Sequence, residues 1–402
     1  SNSQYQIPWV LQVCDLAGAY GLTFLMVAFA AGLYQFLWLG RWQGLTLSLL
    51  VLATTAGYGY WQLTQVASRA GVSLPVVVVQ GNVDTRFPDS APERAAYEQQ
   101  LLTEYLDLQR EWQRRREGPM PDLIIWPEGK YPIPYAMPGG DDTGDEQMRQ
   151  DFRMFYSLLY RELVENKEWN GPPRLPTMIV GAVSTDPVDR KDYNSALMIG
   201  PTGDVLGAYH KIHLVPFGEF IPFVDGFPFL ASMTPIGNGI DRGERPVGFE
   251  VNGLTAAPSI CFESAVTHRV RENNAYLRSL GKEPHLMINV TDDGWFYGHA
   301  ALDHHLAANV IRAVENRKPL IVAANTGLSA FIQSDGQILR QGPRRKSEVL
   351  SVDMELKPRR SLFATVGDWP AIALTILSVL AIVIPSRKKK NSQGKVADEE
   401  PA

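Results

Sequence analysis

Three reactive side chains stand where predicted β-strands end. Glu128 follows the apolar run "LIIWP", Lys211 lies in "GAYHKIHLVPFGEF", and Cys261 follows "TAAPSI". Reactive groups in open α/β sheets gather where strands run out into loops, so the three side chains are predicted to meet. Taken singly, each has an ordinary interpretation: a solvated glutamate, a cysteine that packs in the core and a lysine that reaches water.

Together the three side chains indicate acyl chemistry. A free thiol has a pKa of about 8.5, so a base must take its proton before the sulfur attacks a carbonyl. Glu128 can be that base if desolvation raises its pKa toward neutrality. A protonated Lys211 can stabilise the oxyanion that forms, and Cys261 is then the nucleophile.

Other chemistries have weaker support. The sequence has no G-x-S-x-G, H-E-x-x-H, P-loop or G-x-G-x-x-G motif. His299, Asp303, His304 and His305 have helical spacing, but without a second ligand cluster we expect them to cap a helix and face outward, so neither metal nor cofactor is predicted. Two cysteines form no disulfide framework or zinc motif, and a net charge of −5 without a basic helix face does not imply nucleic acid.

Short β-branched runs alternate with longer amphipathic stretches, which is typical of an α/β fold. The predicted strands are 75–81, 122–128, 177–184, 194–200, 254–262, 285–291, 320–325 and 328–333. The predicted helices are 90–117, 146–166, 264–281 and 299–317. "PTGDVLG" and "QSDGQIL" are predicted hairpin turns. One large domain fits this pattern best.

Three apolar segments are predicted to cross a membrane, at about 17–39, 43–66 and 366–386. A signal peptide is the alternative for the first, but a cationic leader and a cleavage pattern are missing. Arg41 and the run "RKKK" (387–390) favour the cytoplasmic side. The predicted order is a membrane segment (1–71), an extracytoplasmic catalytic domain (72–365), a membrane helix (366–386) and a cytoplasmic tail (387–402).

Four ordered motifs carry a family resemblance: "LIIWPEGKYPIP", "YHKIHLVPFGEFIPF", "ICFES" and the long stretch that begins "NVTDDGWFYGHAALDHH". They resemble the nitrilase, or carbon-nitrogen hydrolase, superfamily and, within it, the apolipoprotein N-acyltransferases of bacterial inner membranes. The resemblance implies a nitrilase-like αββα sandwich domain flanked by transmembrane helices, with Glu128 as proton acceptor, Lys211 as oxyanion stabiliser and Cys261 as acylated nucleophile. It also implies that Glu219 and Glu263 matter, either directly or by orienting Lys211.

The resemblance implies transfer of a fatty acyl group from a phospholipid, through a cysteine thioester, to the α-amino group of diacylglyceryl-cysteine on an apolipoprotein. Phe262 stands where the family usually has an aromatic hydroxyl, Val322 where it often has arginine, and further upstream helices are expected. Two alternatives stay open. The first is a membrane-tethered amidase that hydrolyses a C–N bond, and the second is an inactive scaffold of the same fold.

Overall fold

Two β-sheets pack face to face at the centre of the protein, and helices cover their outer faces. The computed structural model describes residues 2–67, 71–86, 90–116, 120–139, 143–164, 176–223, 226, 239–357 and 359–383. This packing of helices on two face-to-face sheets is the nitrilase-like αββα sandwich that the resemblance implies.

The first sheet pairs the first strand of the sandwich with the last. Its strands are β1 (Val72–Gln80), β2 (Leu123–Ile125), β3 (Tyr135–Ala136), β4 (Thr177–Asp186), β5 (Lys191–Ile199), β6 (Val205–His210) and β13 (Glu348–Leu356). Their order is β13-β1-β2-β4-β5-β6, with β3 beside β4. β1, β2 and β4 are parallel to one another, whereas β13, β5 and β6 pair antiparallel to their neighbours.

The second sheet carries the cysteine. Its strands are β7 (Phe249–Val251), β8 (Leu254–Ile260), β9 (Leu286–Thr291), β10 (Leu320–Ala324), β11 (Ala330–Ile332) and β12 (Ile338–Gln341). They lie in the order β12-β11-β10-β9-β8-β7, and β8, β9 and β10 are parallel. β8 and β9 therefore end at the same edge of the sheet, where polar residues follow both strands.

Helices flank the sheets, and further helices precede β1 and follow β13. The described helices are α1 (Pro8–Leu11), α2 (Cys14–Leu39), α3 (Trp42–Ala67), α4 (Ala91–Arg115), α5 (Thr143–Val164), α6 (Thr267–Ser279), α7 (Ala301–Asn316), α8 (Leu362–Val366) and α9 (Trp369–Val383). Residues of α4 and α5 pack on the outer face of the first sheet, and residues of α6 and α7 pack on the second.

The strand period of two explains how β1 is buried on both faces. Val76 and Val78 share the core between the sheets with Ile288 of β9. Val77 and Val79 point the opposite way, into the core beneath α4 and α5. All four valines are fully buried, and each contributes about 1.5 to 3 kcal/mol relative to an exposed position.

The predicted strands and helices are all present with shifted ends, and both predicted turns close antiparallel hairpins. The helix predicted at 264–281 begins at Thr267, because Cys261–Ala265 forms a separate 3-10 turn. Short or half-exposed strands were not predicted: β3, β6, β7, β12 and β13. Residue 117 of the first predicted helix and residues 165 and 166 of the second lie outside the described residues.

Helices occupy the three predicted membrane segments. Among the described residues, α2 is the helix that is long and apolar enough to cross a membrane by length and composition, while Trp369–Leu380 in α9 is apolar but shorter. Residues 384–402, which include the end of the third segment and the predicted tail, lie outside the described part. All three spans stay predictions.

A buried polar network fixes α2 to α3 and to the end of α7. Arg317, just after α7, donates from Nη2 to Asp15 Oδ2 at 2.5 Å, and the Tyr58 hydroxyl of α3 donates to the same carboxylate at 2.8 Å. α2 breaks at residues 17 and 18, and the amide of Ala19 after the break donates to Glu315 Oε1 at 2.7 Å. The start of α2, the end of α3 and the end of α7 are thereby held together.

Candidate active site

The loop after β2 positions Glu128 by hydrogen bonding to β4. The amide of Trp126 donates to the Ile179 carbonyl at 2.8 Å, and the amide of Tyr131 donates to the Gly181 carbonyl at 3.0 Å. Glycine is required at position 181, because a Cβ there would lie 2.4 Å from Glu128 Cα. The loop lies directly against the strand and carries the Glu128 carboxylate to the sheet edge.

Two carboxylates and an amide surround the Lys211 ammonium. Lys211 Nζ donates to Glu219 Oε1 at 2.6 Å and lies 3.3 Å from Glu128 Oε1. Asn194 Nδ2 bridges the same carboxylates, at 2.7 Å from Glu128 and 3.3 Å from Glu219. The amide of Asp292 donates to Glu128 Oε2 at 3.0 Å. The structure thus brings Glu128, Lys211 and Glu219 together.

The surroundings of Lys211 keep its side chain charged. Its side chain is 1% exposed, and burial alone would lower the lysine pKa. The negative charges of Glu128 and Glu219 outweigh burial, so the pKa of Lys211 is raised above its ordinary value. At neutral pH this lysine is therefore a hydrogen-bond donor and a positive charge rather than a base.

Cys261 sits in a strained turn at the end of β8. Its φ is +53°, in the left-handed region that side chains other than glycine enter at a cost of about 1 to 2 kcal/mol. Three side chains lie within hydrogen-bond distance of its carbonyl oxygen: Asn289 Nδ2 at 3.1 Å, His305 Nε2 at 3.2 Å and Ser264 Oγ at 3.3 Å. These contacts hold the turn in a conformation that the chain would not otherwise favour.

The Cys261 thiol is poor at ionising alone. Burial raises its pKa well above the ordinary value, and the charge of Glu128 raises it further. Lys211 acts in the opposite direction and lowers it. The resting sulfur is therefore a neutral thiol at neutral pH, so attack on a carbonyl requires a nearby base.

Replacing Glu128 by Gln should make the Cys261 thiol more acidic, because it removes a nearby negative charge. We expect the pH midpoint of Cys261 alkylation by iodoacetamide to fall by about one unit. Alkylation followed by mass spectrometry measures it, with Glu250→Gln, an exposed glutamate of β7, as the matched control. An unchanged midpoint in Glu128→Gln would show that the two side chains are not electrostatically coupled.

Glu263 lies beneath the site. Its fully buried carboxylate accepts four hydrogen bonds: from the amides of Ile212 (2.7 Å), His213 (2.8 Å) and Ile260 (2.8 Å), and from the Tyr209 hydroxyl (2.8 Å). Burial raises the pKa of Glu263, and the donated hydrogen bonds oppose that shift. The carboxylate thereby links the backbone that follows Lys211 to Ile260, the residue before Cys261. Glu219 contacts the lysine directly, whereas Glu263 contacts its backbone neighbours.

The expectation that the histidines all face outward is wrong for His305. His299 and His304 are exposed, but His305 is buried, with Nδ1 2.9 Å from Asp293 Oδ1 and Nε2 3.0 Å from Ser264 Oγ. Burial alone would lower the pKa of His305, but Asp293 outweighs it and raises that pKa. Spacing of three from the apolar Leu302 was a sequence signal that His305 belongs to the buried helix face.

The two residues at which this sequence departs from the family pattern, Phe262 and Val322, lie in different environments. Phe262 is 45% exposed and lines a cavity beside Cys261. Val322 is buried in β10 and packs with apolar residues of the second sheet and α7. In the described part of the chain, no group of three or more histidine, cysteine or acidic side chains is placed to hold a metal ion.

Known proteins resemble this chain in sequence. A carbon-nitrogen hydrolase family model matches residues 175–362, which include Lys211 and Cys261. Apolipoprotein N-acyltransferases from Rhodopirellula baltica and Geobacter metallireducens are 26% and 28% identical over 406 and 395 residues; the alignments cover 91% and 96% of this chain and 69% of each relative. A carbon-nitrogen hydrolase structure from Helicobacter pylori G27 gives a TM-score of 0.47 at 16% identity, covering 71% of this chain and 89% of that one. Residues 175–362 therefore match the carbon-nitrogen hydrolase family, and the chain is similar to the apolipoprotein N-acyltransferases over nearly its whole length.

Proposed function

We propose that this protein transfers a fatty acyl group from a phospholipid to the α-amino group of an S-diacylglyceryl-cysteine at the start of an apolipoprotein. The observation that carries the proposal is the neutral Cys261 thiol, held in a strained turn and electrostatically coupled to the Glu128 and Lys211 pair. The similarity to apolipoprotein N-acyltransferases supports the acceptor.

In the first step, Glu128 takes the thiol proton and Cys261 Sγ attacks the ester carbonyl carbon of the phospholipid. The C–S bond forms, and Lys211 stabilises the negative charge on the carbonyl oxygen. When the intermediate collapses, the ester C–O bond breaks and Glu128 returns its proton to the leaving alkoxide. The products are an acyl thioester on Cys261 and a lysophospholipid.

In the second step, the neutral α-amino group of the acceptor attacks the thioester carbonyl. The C–N bond forms and the C–S bond breaks, while Glu128 takes a proton from the amine and passes it to the departing sulfur. Glu219 and Asn194 hold the Lys211 ammonium and the Glu128 carboxylate in place through both steps, because Glu219 contacts Lys211 and Asn194 contacts Glu128. Amide formation then regenerates the free thiol.

The proposed setting is a bacterial inner membrane, with α2, α3 and α9 as spans and the catalytic domain on the extracytoplasmic side. After its break at residues 17 and 18, α2 continues over residues 19–39, which is about 32 Å of helix and long enough for a hydrocarbon core of about 30 Å. Leu47, Leu50 and Leu377 are each 62% exposed, as expected for side chains that face lipid. Arg41, between α2 and α3, lies at the helix ends remote from Asp15 and favours the cytoplasmic side.

The test measures acylation of Cys261 and acylation of the acceptor as two separate events. We expect intact-protein mass spectrometry to find an acyl adduct on Cys261 after incubation with phospholipid, and a lipopeptide acceptor to remove it and gain one acyl chain. Cys261→Ala should abolish both events, whereas Cys14→Ala, at the other cysteine, should not. Unchanged acylation in Cys261→Ala would refute the mechanism. Release of free fatty acid or of ammonia from an amide, without transfer, would favour the amidase.

A further inference from the structure

A cavity of about 450 Å³ lies between the cysteine turn and three helices. Cys261 and Phe262 line one side, Ala19 and Tyr20 of α2 line another, and Arg312 of α7 lines a third. The volume is within the range of small-molecule binding sites. The cavity therefore places the proposed nucleophile, the first predicted membrane helix and a buried cation around one space.

The Arg312 guanidinium is only partly used by the protein. Its Nη2 donates to Glu315 Oε1 at 3.1 Å, and its Nε lies 2.9 Å from Glu315 Oε2. Nη1 is buried and has no hydrogen-bond partner among the described residues, and the residue as a whole is only 3% exposed. An unsatisfied buried donor costs about 1 to 3 kcal/mol, which a ligand oxygen would offset.

Two helix N-termini also meet the cavity. α6 begins at Thr267 and α7 begins at Ala301, and both residues line it. Neither Val266 nor Ala300, the residues before these helices, caps the helix with a side-chain hydrogen bond. Free amides and the helix dipole make such ends favourable for anions. They add positive dipole ends to the cavity, with the start of α7 about 16 Å along the helix from Arg312.

The carboxylates near the cavity do not cancel this charge. Asp293 lines the cavity, but its Oδ1 is engaged by His305 Nδ1 at 2.9 Å and by the Thr291 hydroxyl at 2.8 Å. Burial raises the pKa of Glu315 to about 7, with Arg312 opposing the shift, so this carboxylate is only partly ionised near neutral pH. The site keeps a net preference for a negatively charged ligand.

We propose that the cavity binds the phosphodiester of the acyl-donating phospholipid, with the Arg312 guanidinium as the cation that binds the phosphate. The inference rests on the proposed function and adds how the donor is recognised. His305, which lies 3.2 Å from the Cys261 carbonyl, precedes Arg312 by about two helical turns, or roughly 10 Å along α7. A glycerol ester at Cys261 and its phosphate at Arg312 would therefore occupy two sides of the same cavity.

The kinetic test compares a donor that contains phosphate with one that does not. The full-length protein in detergent is given phosphatidylethanolamine or a p-nitrophenyl ester of the same fatty acid, and thioester formation on Cys261 is timed. Arg312→Gln should slow acylation of Cys261 by the phospholipid about 10- to 100-fold, which is the effect of losing one charged hydrogen bond. The rate of acylation by the p-nitrophenyl ester should change by less than about twofold, because that donor has no phosphate. Arg278→Gln, at an ion-paired arginine of α6 outside the cavity, is the matched control. An equal loss with both donors would mean that Arg312 is only structural.

A binding test separates this inference from the proposed function. Glycerophosphoethanolamine, which has no acyl chain, is titrated calorimetrically against the Cys261→Ala protein and against the same protein carrying Arg312→Lys, which keeps a charge beside Glu315. We expect binding that the lysine weakens, and weaker binding of inorganic phosphate. Binding without acylation of the wild-type cysteine would retain the site and reject the acyltransferase. Acylation with no headgroup binding, or with binding that Arg312→Lys does not change, would reject the site alone.

Discussion

Lys211→Met is expected to slow acylation of Cys261 by about 10²- to 10³-fold, the usual effect of removing one oxyanion donor. The variant loses the positive charge that faces the developing oxyanion in the proposed mechanism. It also leaves Glu128 and Glu219 close together with only Asn194 between them. Because Lys211 lowers the pKa of the thiol, its loss makes Cys261 harder to ionise as well. Both effects act in the same direction.

A second buried lysine provides the control for that variant. Lys318 is 3% exposed in its side chain and lies 2.8 Å from Glu283, outside the candidate site. Lys318→Met therefore makes the same chemical change at a buried ion pair, and we expect it to retain most of the acylation rate. Rates are measured by mass spectrometry on variants with matched thermal unfolding midpoints. A similar loss in both variants would mean that Lys211 acts through stability rather than at the reaction.

Sequence patterns predicted the strands that are buried on both faces far better than those at the edges. "PVVVVQG" is recognisable because its successive valines enter two opposite cores and all are buried. β13 instead alternates buried and more exposed residues, and it pairs with β1 from the far end of the chain segment that forms the sandwich. β7, with three residues, is too short to show a period. The closure of the first sheet by β13 depends on contacts between distant parts of the chain, which local patterns do not contain.

The candidate site was predicted as a set of reactive residues but not as a network. Glu128 and Cys261 are recognisable because they follow apolar strands, and Lys211 because it lies in the family motif "YHKIHLVPFGEFIPF". Asn194 lies within β5, where an amide next to two carboxylates has no local signature. His305 was assigned to the surface because a polar side chain on a helix is usually exposed, although its buried partner Asp293 comes from the loop after β9.

The link between the predicted membrane helices and the site was also invisible in the sequence. Glu315 accepts the amide of Ala19 in α2 and pairs with Arg312 in the cavity, so one carboxylate joins both features. Arg317, two residues further, pairs with Asp15. The end of α7 thereby sets where α2 stands relative to Cys261. A donor lipid that approaches along α2 would reach the cavity at Ala19 and Tyr20.

Glu263→Gln is expected to destabilise the protein by about 2 to 4 kcal/mol and to slow acylation as well. The carboxylate accepts from four donors, and an amide in its place turns two donor hydrogens toward groups that also donate. The Tyr209 hydroxyl can rotate to accept one of them, but the backbone amide of Ile260 cannot. The turn that holds Cys261 would then separate from the chain that follows Lys211.

The two effects of Glu263→Gln can be told apart. Thermal unfolding of the full-length protein measures the loss of stability, and Glu250→Gln on the exposed face of β7 is the control that should show none. Acylation is then timed well below the lowered midpoint, where the variant is still folded. Because Glu263 contacts the backbone beside the lysine rather than the lysine itself, we expect the pH midpoint of Cys261 alkylation to stay near that of the wild type while the acylation rate falls. A shifted alkylation midpoint would instead place Glu263 among the charges that tune the thiol directly.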